Sequence, residues 1–340
     1  MWEVLNSTDY ACAGTFQRDS NGHEHWCIAI RATFEVDPDG GVRTAPKQIP
    51  VSLVPRFAGE GNEILLADDD IIPFVPVTDI LIRGLATPAI TEPRPSPLSV
   101  EIGAVRKQAL LYPPRRAGVL RGSWHMLEVA PQQPASLGWE SSFGGSLPGS
   151  PENQPPENPQ GTGSWLRAPQ LFEDGTEIDL PRIEGLGMDC ARAPDRSRSV
   201  GFGPIPRWWY DRVILAGRFD DDWRDNRAPA MPKDYDAHFL CSAPRDQWPE
   251  SHLSGGEPVC LRGFTENRDW RLRLPQALFR VETRLGTELV SLPTQLVRID
   301  LWPSDDLVSM LWLATLACNG RDHMIGTSRV SLRQLSGVAQ

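Results

Sequence analysis

Where the apolar and polar positions of this chain show any period, the period is two. The clearest run is His25 to Val36, in which Trp26, Ile28, Ile30, Ala32, Phe34 and Val36 interleave with His25, Cys27, Ala29, Arg31, Thr33 and Glu35. Such alternation, rich in β-branched and aromatic residues, predicts a half-buried strand. Asp37-Pro38-Asp39-Gly40-Gly41 predicts a sharp turn after it. Ile49, Val51 and Leu53 alternate again, but Pro50 and Pro55 place that run at a sheet edge. More short strands follow near 74–84, 98–104, 108–112 and 119–124, at spacings of roughly ten residues. Regular short strands separated by turn signals predict a mainly β protein, an antiparallel sandwich or barrel-like scaffold.

From Pro131 to Ser199 the strand signals fade, and Pro, Gly, Ser and Asn dominate. Two islands break this long loop-rich middle: Trp139 to Gly145 and Glu157 to Gly163, with a loop expected between them at Pro148 to Pro156. A third segment, Gly201 to Gln247, crowds Trp208, Trp209, Tyr210 and Trp223 beside Gly201, Gly203, Pro204 and Pro206. Aromatic rings bury large areas while Gly and Pro fix unusual backbone angles, which predicts an aromatic-pinned corner. Val213 to Phe219 reads as a strand, and Asp234 to Ser242 as a short helix with Asp234 at its N-cap. Strand alternation returns at Trp270–Leu274 and Phe279–Glu282. Gln295–Leu301 and Leu307–Leu316 flank Trp302-Pro303-Ser304-Asp305-Asp306 as a hairpin, with a helix ended by Asn319-Gly320 as the alternative for Leu307–Leu316, and the tail from Ser328 reads as a short amphipathic piece, possible as helix. These shifts divide the chain into an N-terminal β half (1–130), the motif-bearing middle (131–255) and a C-terminal β half (256–340), within one compact unit.

Composition narrows the picture. With 340 residues the chain can bury a substantial core. The 32 Pro and 29 Gly argue for many turns and few, short helices. A formal net charge of −10 without a basic cluster speaks against nucleic acid as partner. The six Cys are widely spaced with no Cys-x-x-Cys, no apolar run is long enough for a membrane span, and the start lacks the pattern of a signal peptide, so a cytoplasmic protein is expected.

Motifs for chemistry are sparse. His23, His25 and Cys27 share one face of the first strand but lack a nearby fourth ligand, and they read as a polar face with a buried thiol. Asp68-Asp69-Asp70 lacks the ordered spacing of a cation loop and reads as a solvated turn. Asp220, Asp221, Asp222 and Asp225 read likewise. Glu140 and Glu257, each near a Gly-Gly pair, read as caps of turn N–H groups, with a partner-binding charge as the alternative. There is no nucleophile elbow and no phosphate loop. No catalytic residue, metal or cofactor is expected. Trp26, Trp270 and Phe34 read as core, while Trp139, Phe143, Trp208 and Trp209 fit either core or a recognition surface.

Four segments in order resemble one bacterial family: Trp139 to Gly145, Asn158 to Gly163, Gly201 to Pro244, and Gly255 to Val259. The first matches an aromatic-Glu-x-x-Phe-Gly-Gly pattern, with Trp139 where Tyr is usual; the second matches Asn-Pro-x-Gly-x-Gly. The third carries Gly-Phe-Gly-Pro-Ile, then Trp208, Ala216-Gly217, Asp220, Trp223, Pro232 to Asp236, Phe239 and Ala243-Pro244; Leu180 to Glu184 fits a Leu-Pro-x-x-Glu segment between. The resemblance runs from about Trp26 to Trp312 and is to a family encoded beside type VI secretion effectors and regarded as effector adaptors or chaperones. It implies a non-enzymatic helper that binds a toxic effector through a PAAR-like N-terminal domain and loads it onto the secretion spike. Partners would then be the effector and the spike, with no nucleic acid and no membrane. Candidate partner-binding residues are Trp139, Glu140, Phe143, Asn158, Phe202, Trp208, Trp209 and Trp223. Two rival classes remain open: a hydrolase using Asp220, Glu140 or His238, and a carbohydrate-binding β-sandwich module.

Overall fold

A computed structural model describes residues 2–59, 64–89, 92–145 and 158–339; the loop expected at Pro148 to Pro156 lies outside the described residues. The protein is mainly β, and among the described residues none of its sheets closes into a barrel. A six-stranded sheet is built on Glu24–Val36, which pairs antiparallel with Ala11–Arg18 on one side and Leu307–Ala317 on the other. Beyond it lie Thr294–Trp302 and then Asp79–Ile82, the last joined in parallel, while Val42–Thr44 adds to the end of Glu24–Val36. A five-stranded sheet runs Ile183–Gly185, Val105–Leu111, Ser96–Ile102, Pro258–Arg262, Trp270–Arg273. A four-stranded sheet runs Glu3–Asn6, Ile325–Ser336, Gln276–Leu285, Glu288–Leu292. Smaller sheets include Ser123–Val129, Arg115–Leu120 and Glu177–Asp179, with Ser123–Val129 at an edge that no other described strand pairs.

One apolar core joins the three large sheets. Ile28, Ile30 and Phe34 of the six-stranded sheet, Val100 and Leu261 of the five-stranded sheet, and Val281 and Val330 of the four-stranded sheet belong to the same buried cluster. Residues from all three segments of the chain enter it.

The first strand follows the expected period but not the expected exposure. Its second face is buried too, with Cys27, Ala29, Arg31 and Thr33 all shielded. The reason is a cover of non-strand chain. Residues around Ile71 pack on Cys27, Ala29 and Leu311, and Ile72, Val75 and Val77 pack against Cys241. The Gly201–Gln247 segment is bolted over the edge strand of this sheet by backbone and side-chain bonds. Ile82 N–H donates to Phe202 O at 3.1 Å, and Gln247 Nε2 donates to both Ile80 O and Phe202 O. Asp79 accepts from Ser242 N–H, Ser242 Oγ and Ala243 N–H.

Several local expectations are corrected. Ile49, Val51 and Leu53 form no strand; Pro50 and Pro55 interrupt the donors that a ladder needs. Val213–Phe219 is not a strand either: Tyr210–Val213 is a helical turn, because the crowded Trp-Trp-Tyr packs on one side only. The short helix expected at Asp234–Ser242 is a 3-10 turn, Ala237–Leu240, capped by Asp236, whose side chain accepts from His238 N–H. Asp234 instead holds Arg218. Asp220–Asp225 is not a bare turn but the cap and body of the helix Asp221–Asn226, with Asp220 Oδ1 accepting from Trp223 N–H at 2.9 Å. The tail from Ser328 is part of a long strand that pairs with Gln276–Leu285, not a helix. The hairpin about Trp302–Asp306 forms as expected.

Candidate functional site

Three features stand out, each on the scaffold that the sheets define. The first is a knot in which the motif islands meet. Phe143–Gly144 and Thr162–Gly163 pair as a two-stranded parallel ribbon. Asn158, with no exposed surface, brackets it. Its Nδ2 donates to Trp139 O at 2.9 Å and to Phe143 O at 3.0 Å, and its Oδ1 accepts from Gln160 and Gly161 N–H. The glycines are there for close approach: a Cβ on Gly161 would lie 2.4 Å from Ser142 O, and one on Gly201 would lie 2.6 Å from the Trp139 ring. Trp139 packs edge-on against Trp209 at 5.6 Å and donates its Nε1 proton to Gly203 O. The Ser199 hydroxyl donates to Phe143 O, and Val200 N–H donates to Ser142 Oγ. Nearby, Glu184 takes Arg115 Nη2 and Cys190 N–H. The Trp139, Asn158 and Gly201 segments therefore meet in one hydrogen-bonded junction.

Among the residues singled out from sequence, Trp139, Phe143, Asn158, Phe202 and Trp209 are all interior to this junction or its surroundings. Trp208 is 55% exposed and rests on Phe57, with ring centroids 5.5 Å apart. Trp223 is half-buried and donates to Ala230 O. Among the described residues Glu140 caps no turn N–H; it accepts the Ser136 hydroxyl. Glu257 does cap, accepting from Ser254 N–H at 2.9 Å. Glu140, Asp220 and His238 are not gathered into one site. Glu140 lines a large cleft, Asp220 caps its own helix, and His238 bonds to Asp236 and stacks on Trp248.

The second feature went unread in the sequence. Asp68-Asp69-Asp70 is not a solvated turn: Asp68 and Asp70 are each 1% exposed. They anchor a chain of buried ion pairs under the cover of the six-stranded sheet. Arg31 bonds Asp70 at 2.9 Å and Asp300 at 3.0 Å. Arg83 grips the other Asp300 oxygen at 2.6 Å. Arg298 meets Asp70 at 3.0 Å. Asp68 receives Arg212 at 2.9 Å and Arg207 at 3.0 Å, and Arg207 also reaches Asp69. Burial alone would push the Asp300 carboxyl up, but the guanidinium groups of Arg83, Arg31 and Arg298 outweigh it and hold it below the ordinary carboxylate value. The same competition, with Arg212, Arg207 and Arg298 prevailing, lowers Asp68. Arg207 and Arg212 come from the Gly201 corner, so the network ties that corner to the sheet. The sequence did contain a signal: Arg31, Arg298 and Asp300 are charges inside otherwise apolar strands, and such residues are seldom buried unless paired.

The third feature is a cleft of about 810 Å³ at the end of the six-stranded sheet. Its walls include Ile49, Leu65, Ile82, Leu137, Trp302 and Leu307, with Arg31, Arg83 and Asp300 of the network also on the lining. Ser136 and Glu140 bring polar groups from the junction, and Lys47 and Arg56 add exposed cations. Cleft and network were both assembled by tertiary contacts between segments far apart in sequence.

Among the described residues no cluster of His, Cys, Asp and Glu is placed to hold a metal ion. His25 sits by Asp19 at 3.3 Å, and burial pushes the Cys27 thiol up to about 12. No helix of the described residues is long and apolar enough to cross a membrane.

These observations define a mainly β scaffold whose loop-rich middle is locked by a polar junction and a buried charge network. The chain belongs to DUF2169, a family of uncharacterized proteins conserved in bacteria, whose profile covers residues 21–313. No curated protein and no solved structure matches it.

Proposed function

We propose that this protein is a type VI secretion effector adaptor that binds a toxic effector through its PAAR-like N-terminal region and helps load it onto the spike. The sequence resemblance suggests this role. The observation that carries it furthest is an exposed apolar run beside the buried junction. Trp208, Tyr210, Val213, Ile214 and Phe219 are each about half exposed within twelve residues, counting from 208 to 219. A rigid base beneath an apolar surface of that kind suits capture of apolar surface on a partner, because binding then orders few additional groups. The open edge at Ser123–Val129, with Met126, Leu127 and Val129 exposed, offers a place where a partner strand adds to the sheet.

Co-expression with the effector encoded beside the gene, followed by size-exclusion chromatography, tests the proposal. A co-eluting complex is expected, with effector that is insoluble when expressed alone. The double variant Trp208→Ser/Ile214→Ser is expected to weaken the complex at least about tenfold while leaving the urea midpoint of the isolated protein unchanged, since both side chains are mostly outside the core. Separate elution of wild-type protein and soluble effector would sink the proposal.

A further inference from the structure

The cleft at the end of the six-stranded sheet holds a partly shielded carboxylate with no counter-charge among the described residues. Two of its three arginines are already paired. Arg83 gives Nε and Nη2 to Asp300 and Nη1 to Leu66 O, while Arg31 gives its two terminal nitrogens to Asp70 and Asp300. Glu35 is held by Arg43. Glu140 differs. Its Oε1 accepts the Ser136 hydroxyl, but its Oε2 is shielded from solvent and accepts no hydrogen bond from the described residues. It also forms no ion pair with a described residue. A carboxylate oxygen left without a donor in a shielded place is costly, and a charged donor is the strongest remedy. The terminal torsion of glutamate is broad, so this oxygen can turn into the cleft at little cost. Gly138 keeps the space for it: a Cβ at that position would lie 2.2 Å from Glu140 Oε2. Around it the cleft is walled largely by aliphatic side chains and Trp302, and its volume of about 810 Å³ falls in the range of ligand sites.

We infer that this cleft binds an amphipathic cation, an aliphatic chain ending in an ammonium or guanidinium group that pairs with Glu140. Such a cation comes either as a free organic amine or as a Lys or Arg side chain set among apolar residues of a polypeptide. Lys47, Arg56 and Asp305 are the other lining charges without an ion pair among the described residues, and all three are exposed. Hydrated cations at a surface are weak anchors, and an anion seated on them would reveal itself as carboxylate binding. The inference does not depend on the adaptor role, since it concerns the isolated protein.

Calorimetric titration of the purified protein with n-hexylamine, hexanoate, 1-hexanol and an acetylated, amidated Leu-Lys-Leu peptide provides the test. Hexylamine is expected to bind at least about tenfold more tightly than hexanoate or hexanol, the preference that one charge-assisted hydrogen bond supplies. Glu140→Gln, which keeps the size and the bond to Ser136, is expected to remove that preference. Gly138→Ala keeps the charge but displaces the carboxylate, and is expected to reduce the preference as well. Tighter binding of the peptide than of hexylamine assigns the cation to a polypeptide, and the reverse order assigns it to a free amine. Absence of hexylamine binding, equal binding of hexanoate, or a preference that survives Glu140→Gln in folded protein would each overturn the inference.

Discussion

Replacing Asp300 with asparagine is expected to lower the unfolding free energy by about 3–5 kcal/mol, read as a fall in the urea midpoint. Asp300 is 1% exposed and carries Arg31 on one oxygen and Arg83 on the other. The substitution keeps the shape but leaves two buried guanidinium groups short of their counter-charge, and the cost of a stranded buried charge exceeds that of losing both partners together. A pH signature accompanies it. The folded protein holds the Asp300 carboxyl below its unfolded value, so its contribution is fully present above the unfolded value, about pH 3.9, and is lost as pH falls through the folded value. Asp68 is shifted the same way, whereas burial raises Asp70 and works in the opposite sense. The variant therefore loses the Asp300 share alone: its stability should fall less steeply than that of the wild type below about pH 4. An unfolding free energy within about 1 kcal/mol of wild type, with an unchanged acid slope, would show that the network is dispensable.

The next largest effect is expected from Asn158→Ala, with a loss of about 3 kcal/mol. The side chain makes four hydrogen bonds to backbone groups of the Trp139–Gly145 and Asn158–Gly163 segments while having no exposed surface. Alanine leaves Trp139 O and Phe143 O without these donors in a place closely packed by Gly144 and Gly161. Aspartate tests the polarity of the contacts: it retains the acceptor for Gln160 and Gly161 N–H but cannot donate to the two carbonyls. It should be no more stable than alanine, because a buried carboxylate would face two carbonyl oxygens. Recovery of full stability in Asn158→Asp would mean that the donor bonds contribute nothing.

Much of the scaffold was legible along the chain. Ile28, Ile30 and Phe34 alternate because a strand buries every second residue, and the hairpin about Trp302–Asp306 is announced by two apolar runs with a turn between them. The motif segments were legible as special, since Gly beside Trp and Phe signals close backbone approach. That they form a single junction was not legible, because Asn158 and Gly201 meet Trp139 only in the folded molecule. Local pattern failed where tertiary contacts outweigh it. Val213–Phe219 has strand-like composition but begins inside a helical turn, and the tail from Ser328 is a strand because Gln276–Leu285 offers it a ladder.

The sequence by itself determined the class, mainly β with a glycine- and aromatic-pinned middle, because period-two alternation and turn chemistry are local properties of the chain. Only the tertiary structure decided the fate of its charges. Asp68 and Asp70 read as solvent-facing beside one another, and Arg31 as one polar position in a strand. Whether a charge is solvated or buried depends on which opposite charge reaches it, and here Arg31, Arg212, Arg298 and Asp300 arrive from positions far apart in the chain. The same long-range convergence sets Glu140 in an apolar cleft, where its chemistry follows from its surroundings and not from its neighbours in sequence.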